Sequence, residues 1–278
     1  MKEKIFDISY RTNILHKDIS INEVTIFEDH RTILNVLFHL RTKRNYTEPL
    51  DLIMFDKHDD FCDISPDAKR KITYFNKKPS YEKLSEIVEF HLSSLDDDWI
   101  KAGMELGFIG NVFLFNSTDT SASLKETYKT KQFGVKKLYN IGNIWAALGH
   151  HGILNDPYKT EYEELRADFG WKLENGTYRF REERRKYVFD IDLDCFTTEI
   201  YGETIAVPED ILVSKLNEIK KQHYHNYHSS QHFMSELIMD SEIVTISLES
   251  DCCGGIKQSQ KILRILDTIL FQNQLGTK

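Results

Sequence analysis

Apolar residues along this chain come in short continuous runs rather than in alternation, and helical patterns separate the runs. NEVTIF (22–27), LDLIMF (50–55), NVFLF (111–115), KYVFDI (186–191) and EIVTISL (242–248) read as buried strands. TILNVLFHL (32–40) reads as a helix, and PSYEKLSEIVEFHLSSL (79–95) as another with Ser80 at its cap. PEDILVSKLNEIKKQ (208–222) opens on Pro208 with acids in its first turn, a good helix start. KQSQKILRILDTILFQ (257–272) stacks Ile262, Ile265, Leu266, Ile269 and Leu270 on one helical face. GTYRFREERRKYVFDI (176–191) reads as a local hairpin joined to the sheet, and roughly 116 to 185 is the least readable part, where insertions or substrate loops would sit.

Strands with no in/out alternation, separated by helices, imply a mainly parallel sheet covered on both faces. The expected fold is therefore α/β, a three-layer α/β/α arrangement. No Pro/Gly/Ser-rich linker and no internal repeat interrupts it, so a single domain over residues 1–278 is the expectation.

Composition then narrows the function. With 36 basic against 44 acidic residues the chain has no basic excess to displace counterions from phosphates, which argues against nucleic acid as a partner. No apolar run reaches membrane-spanning length, and the opening MKEKIFDISYRTN lacks the apolar core of a signal peptide. Cys62, Cys195, Cys252 and Cys253 show no Cys-x-x-Cys spacing, so neither a disulfide framework nor a zinc knuckle is indicated. A cytoplasmic protein with no membrane partner is expected.

Ligands of open parallel sheets bind beyond the carboxyl ends of the strands. NEVTIF is followed by Glu28, Asp29 and His30; LDLIMF by Asp56, Lys57, His58, Asp59 and Asp60. KYVF runs into Asp190, Ile191, Asp192, Leu193 and Asp194, and EIVTISL into Glu249, Ser250 and Asp251. In extended backbone Asp56, His58 and Asp60 share a direction, as do Asp190 and Asp192. Carboxylates with imidazoles suit manganese, iron or zinc. Unneutralised, such carboxylates would repel and raise one another's pKa, so the charge count favours two divalent ions over one. Taken alone, the Asp-x-Asp-x-Asp run also fits a single magnesium or calcium loop.

The order of these blocks, FEDH (27–30), FDKHDD (55–60) and FDIDLD (189–194), resembles the arginase/agmatinase ureohydrolases, which share a fold with the histone-deacetylase-like enzymes. The Glu-Asp-His opening and the Asp-Ile-Asp-Leu-Asp run look most like the branch of peptide arginases in ribosomal-peptide (RiPP) biosynthesis, which turn peptide arginine into ornithine and urea. The resemblance implies two manganese ions bridged by Asp56 and Asp190, with His30 and Asp60 completing one site and His58 and Asp192 the other. Asp60 would also pass a proton to the leaving amine, and Glu249 would bind the guanidinium, with Asp251 as its rival. The partner implied is an arginine-containing precursor peptide. This sequence departs from the family where Phe27-Glu28 replaces a Gly-Gly pair and where the Asp-Pro after the third block is missing; a register slip of two would make Asp194 a ligand in place of Asp192. It also shows no match to the segment that grips the α-amino and α-carboxylate groups of free arginine, nor to the catalytic histidine downstream of it.

Other features attract blander readings. The histidines of HYHNYHSSQHF (His223, His225, His228, His232) fit a polar helix or loop better than a metal site. LGHHG, with His150 and His151, fits a helix-ending turn as well as a catalytic histidine. SSLDDDWI (93–100) reads as a helix cap with acids in the first turn, REERRK (181–186) as a solvated hairpin, and Cys252-Cys253-Gly254-Gly255 as a tight turn beside the site. Two competing functions stand beside the peptide arginase: a small-molecule ureohydrolase or amidohydrolase acting on agmatine, a guanidino acid or an acylated amine, and a non-catalytic, metal-stabilised binding protein.

Overall fold

Each continuous apolar run forms a strand with two buried faces. The computed structural model describes residues 10–16, 19–116, 123–143, 171–174, 177–180, 186–217, 219–221, 227–229, 234 and 237–277. Its main sheet is built from β1 (Tyr10–His16), β2 (Ile19–Phe27), β3 (Leu50–Asp56), β4 (Ile109–Asn116), β5 (Ser123–Lys129) and β6 (Val135–Asn143). Two later strands complete it: β9 (Tyr187–Asp192) and β14 (Ile243–Ser247). Three short ladders lie apart from this sheet: β7 (Trp171–Glu174) with β8 (Thr177–Phe180), β10 (Thr197–Ile200) with β11 (Glu203–Ala206), and β12 (Ile219–Lys221) with β13 (Tyr227–Ser229).

The strand order is β1-β2-β14-β9-β3-β4-β6-β5, eight strands in all. From β2 to β6 every neighbouring pair is parallel, and β1 and β5 add antiparallel edges. Val24, Ile26, Ile53, Phe55, Phe189, Ile191, Val244 and Ile246 share one core with residues of two later helices, among them Leu212, Leu216, Ile262 and Leu266. Phe27, Leu52, Met54, Val188 and Ile243 face the other way, onto Leu34, Leu37, Ile72, Leu84, Ile87 and Trp99. The sheet is thus the middle of three layers. One face is covered by α1 (Ile33–Arg44), α2 (Pro66–Lys77), α3 (Tyr81–Phe90) and α4 (Trp99–Glu105), the other by α5 (Glu209–Asn217) and α6 (Ile256–Leu270).

Local chemistry accounts for two of the helix starts. Ser80 accepts from the backbone N–H of Lys83, capping α3 as expected. Ser65 does the same for Ala68 with Pro66 at the first helical position, starting a helix that the apolar pattern does not announce.

Three expectations are corrected. The helix read over 208–222 stops at Asn217, and 219–221 are extended. TYRF pairs back with WKLE and not forward with KYVF, which crosses the middle of the main sheet. In SSLDDDWI the acids precede α4 and none enters its first turn. Asp98 there accepts from the Ser93 N–H at 3.1 Å, and Asp96 is taken by Arg31 at 3.1 Å.

After β3 the chain moves outward to β4, whereas after β9 it moves the opposite way to β14. The crevice beyond the adjacent carboxyl ends of β3 and β9 is therefore a topological switch point, where open α/β sheets bind ligands. Among the described residues no helix is long and apolar enough to cross a membrane.

Candidate metal centre

Four neighbouring strands, β2, β14, β9 and β3, end at this crevice, and each delivers a polar side chain into it. His30 begins a short 3-10 turn directly after β2, and its side chain is fully buried. Its Nε2 lies 2.7 Å from Asp190 Oδ2. Its Nδ1 faces Asp192 Oδ2 at 3.0 Å, Asp60 Oδ2 at 3.1 Å, Asp56 Oδ2 at 3.6 Å and Glu249 Oε1 at 3.7 Å. None of these contacts has hydrogen-bond geometry, so Nδ1 is a buried polar atom without a hydrogen-bond partner.

The second cluster adjoins the first. His58 Nδ1 lies 3.0 Å from Asp194 Oδ2, and His58, Asp56 and Asp194 offer ligand atoms within 4.8 Å of one another. The same limit holds for His30, Asp56 and Asp60, and for His30, Asp192 and Glu249. Asp56 belongs to two of the three groups. Its Oδ2 and the Oδ2 of Asp194 also lack hydrogen-bond partners, although both are buried.

Backbone donors hold several carboxylates in place. Asp56 Oδ1 accepts from His58 N at 2.7 Å, Asp192 Oδ1 from Asp194 N at 3.0 Å and Asp194 Oδ1 from Lys57 N at 3.2 Å. Trp99 Nε1 donates to Asp60 Oδ2 at 2.8 Å, and its ring centroid sits 4.5 Å from that of His30. Asp60 and Glu249 both adopt positive φ, 46° and 33°, a conformation that costs free energy in any residue but glycine and collects at functional sites.

The protonation equilibria reflect uncompensated negative charge. Burial, joined by the charges of Asp60, Asp192 and Asp194, pushes Asp56 well above the usual carboxylate range. Burial and the Asp194 charge carry Asp192 up to about 7. Burial and the Asp192 charge carry Glu249 to about 9. Burial opposes a charged His30, but the charge and hydrogen bond of Asp190, with Asp192 and Asp60, outweigh it and raise the imidazole well above its ordinary value. The Asp194 carboxylate, whose Oδ2 faces Nδ1, raises His58. A cluster that draws protons so strongly would be satisfied equally by divalent cations. The buried His and Asp groups of this crevice can hold a metal ion.

His30, Asp56, Asp60, Asp192 and Glu249 gather around one point. His58 sits at the rim with a half-exposed side chain. Asp190, expected to bridge, is set apart behind the His30 ring and enters none of the three groups. Asp194, the register alternative, is buried beside His58 in the 3-10 turn that follows β9. Asp251 is exposed in the next turn and also enters none of them. Lys57, Asp59 and Asp63 stand outside the cluster, paired with Glu199, Lys125 and Lys101. His150, His151, His223, His225 and His232 lie outside the described residues, as does most of REERRK, while His228 falls on β13 opposite Lys220. Trp99 and Thr245 carry no motif and escape sequence reasoning; only proximity in space reveals them.

The turn over 250–255 follows Glu249 and needs its glycines for left-handed backbone and close packing. Gly254 has φ +82°, and a Cβ there would stand 1.9 Å from the Thr204 carbonyl oxygen. All four cysteines are free. Burial and the Glu249 charge push the Cys252 thiol up to about 12.

No family model matches this chain, and no curated protein matches it.

Proposed function

We propose that this protein is a two-metal hydrolase of the arginase/agmatinase type, with two manganese ions as cofactor. Its substrate is an arginine side chain within a peptide, such as a ribosomal precursor peptide, and its products are an ornithine side chain and urea. The observation that carries the reading is His30 Nδ1, a buried nitrogen without a hydrogen-bond partner that faces the oxygens of four carboxylates. Nδ1 and these carboxylates need a proton or a metal cation between them in a dry site, and a divalent ion neutralises more of the gathered charge than one proton does.

The ion beside His30 would be held by Nδ1 with Asp60, Asp192 and Asp56; the second by His58, Asp194 and Asp56, the member common to both groups. The oxygen-rich set with two imidazoles suits manganese better than thiolate-loving ions. Bound there, the ions would make water nucleophilic near neutral pH. One water is consumed, the bond from the guanidinium carbon to Nε of the arginine breaks, and the amine leaves protonated.

The protein's own groups handle the remaining tasks. Glu249, at the edge of the cluster and partly open to solvent, orients the guanidinium through its two acceptor oxygens. Asp60, steadied by the Trp99 indole, holds the proton destined for the leaving amine. The missing clamp for free arginine's backbone groups supports a substrate whose backbone is already in a peptide.

Manganese-loaded protein mixed with arginine-containing peptides should release urea, and each converted arginine should lose the mass of cyanamide. No urea from diverse peptides, agmatine and free arginine would overturn the proposal. Release from agmatine or free arginine alone would replace it with the small-molecule reading.

A further inference from the structure

We infer that Asp190 is a positioning residue, which sets the tautomer and rotation of His30 together with Thr245 and is not itself a metal ligand. The inference rests on the metal-centre reading above and departs from the bridging role that the family resemblance implies for Asp190.

Both carboxylate oxygens of Asp190 are already engaged. Oδ2 meets His30 Nε2 at 2.7 Å, and Oδ1 accepts from the Thr245 hydroxyl. Thr245 is the direct neighbour of Asp190 across the β14–β9 pairing, so strand register delivers the hydroxyl. Asp190, Thr245 and His30 are all fully buried. A carboxylate against Nε2 keeps the ring proton there and turns the lone pair of Nδ1 outward, towards Asp56, Asp60, Asp192 and Glu249. The Trp99 ring packs against the imidazole and limits its rotation.

The run Asp190-Ile191-Asp192-Leu193-Asp194 thereby divides its labour by depth. Asp190 and Asp192 share a face of β9, with Asp190 about 6–7 Å further from the strand end. The deeper carboxylate reaches the back of His30, Asp192 reaches the space in front of it, and Asp194 faces His58. An orienting partner behind a ligating histidine raises its basicity, and its loss weakens metal affinity by about 10- to 100-fold without removing a ligand.

The test measures manganese stoichiometry and affinity by titration calorimetry, with the visible spectrum of the cobalt-loaded form as a second readout. The set is the full chain, Asp190→Asn, Asp192→Asn, Thr245→Val and Thr245→Ser. Asp190→Asn should bind as many ions as the unaltered protein, about 10- to 100-fold more weakly, with shifted cobalt bands. Asp192→Asn should lose an ion or its tight binding altogether. Thr245→Val should weaken binding in the same sense, and Thr245→Ser, which keeps the hydroxyl, should restore it. Loss of an ion from Asp190→Asn, or unchanged affinity and spectrum, overturns the inference while leaving the metal centre standing. If Asp190→Asn does not fold, the threonine pair decides: equal affinity in Thr245→Val and Thr245→Ser overturns it. An unaltered protein that takes up neither manganese nor cobalt overturns the metal reading, and the inference with it.

Discussion

The indole nitrogen of Trp99 donates to Asp60 Oδ2 at 2.8 Å while the same ring lies 4.5 Å from the imidazole of His30. One side chain from α4 therefore touches two candidate ligands that lie just beyond the ends of β2 and β3. It steadies a carboxylate by hydrogen bonding and a histidine by ring packing, and it places an optical probe against the candidate metal centre.

Trp99, one of three tryptophans in the sequence, is in contact with the candidate ligands His30 and Asp60. Titration with manganese or cobalt should quench the protein's fluorescence with the same midpoint as metal binding measured by calorimetry. Trp99→Phe should remove most of that quenching and weaken binding by a few-fold. Quenching of equal size in Trp99→Phe would show that the signal arises elsewhere.

The metal-free protein should lose stability as pH rises. Asp192 and Glu249 titrate at about 7 and about 9 when folded, above the ordinary values of 3.8 and 4.5. Between those limits the folded state binds more protons than the unfolded one, so each added pH unit favours unfolding. His30, also raised, acts in the same sense above 6.5, losing its contribution as pH passes through its folded pKa. Melting temperature in chelator should therefore fall from pH 5 to pH 9, and added manganese should restore most of the loss at the alkaline end. A flat profile in chelator would refute this account.

Asp56→Asn separates stability from function. Removing a fully buried carboxyl whose ionisation is opposed by burial and by neighbouring carboxylates should raise the melting temperature of metal-free protein at pH 8 by a few degrees. It should also abolish tight binding of at least one ion and lower urea release by about 100-fold or more, as loss of a shared ligand would. A stable variant with undiminished metal uptake would contradict the place given to Asp56 in both groups.

Gly254→Ala should destabilise the fold by about 1–3 kcal/mol, since alanine meets both a left-handed backbone and the Thr204 carbonyl. Thermal melting reads the loss directly. Because the turn follows Glu249, affinity for an arginine peptide should fall more than affinity for manganese. Wild-type stability would mean that the β10–β11 hairpin gives way at little cost.

Much of this was legible along the chain. Five continuous apolar runs became five buried strands, because a strand covered on both faces has no polar side to display. The acids and histidines after four of them could be read as one cluster, since parallel strands deliver their carboxyl ends to a common edge. The helices α2 and α4 were less visible: α4 spans only Trp99–Glu105, and six of its seven residues are buried, which leaves little amphipathic pattern.

What sequence alone determined about this protein is therefore the layered α/β fold and the identity of the strand ends that carry charge. What it left undecided is which carboxylates share a space. Asp190 and Asp192 are equivalent by period, and Asp192 and Asp194 differ only in whether the strand has ended. The pairing of β9 with β14, the 3-10 turn at Leu193–Phe196 and the arrival of Trp99 from a separate helix made the distinction. Side-chain direction follows local backbone period, but the neighbours a side chain meets follow from register and packing between segments far apart in the chain.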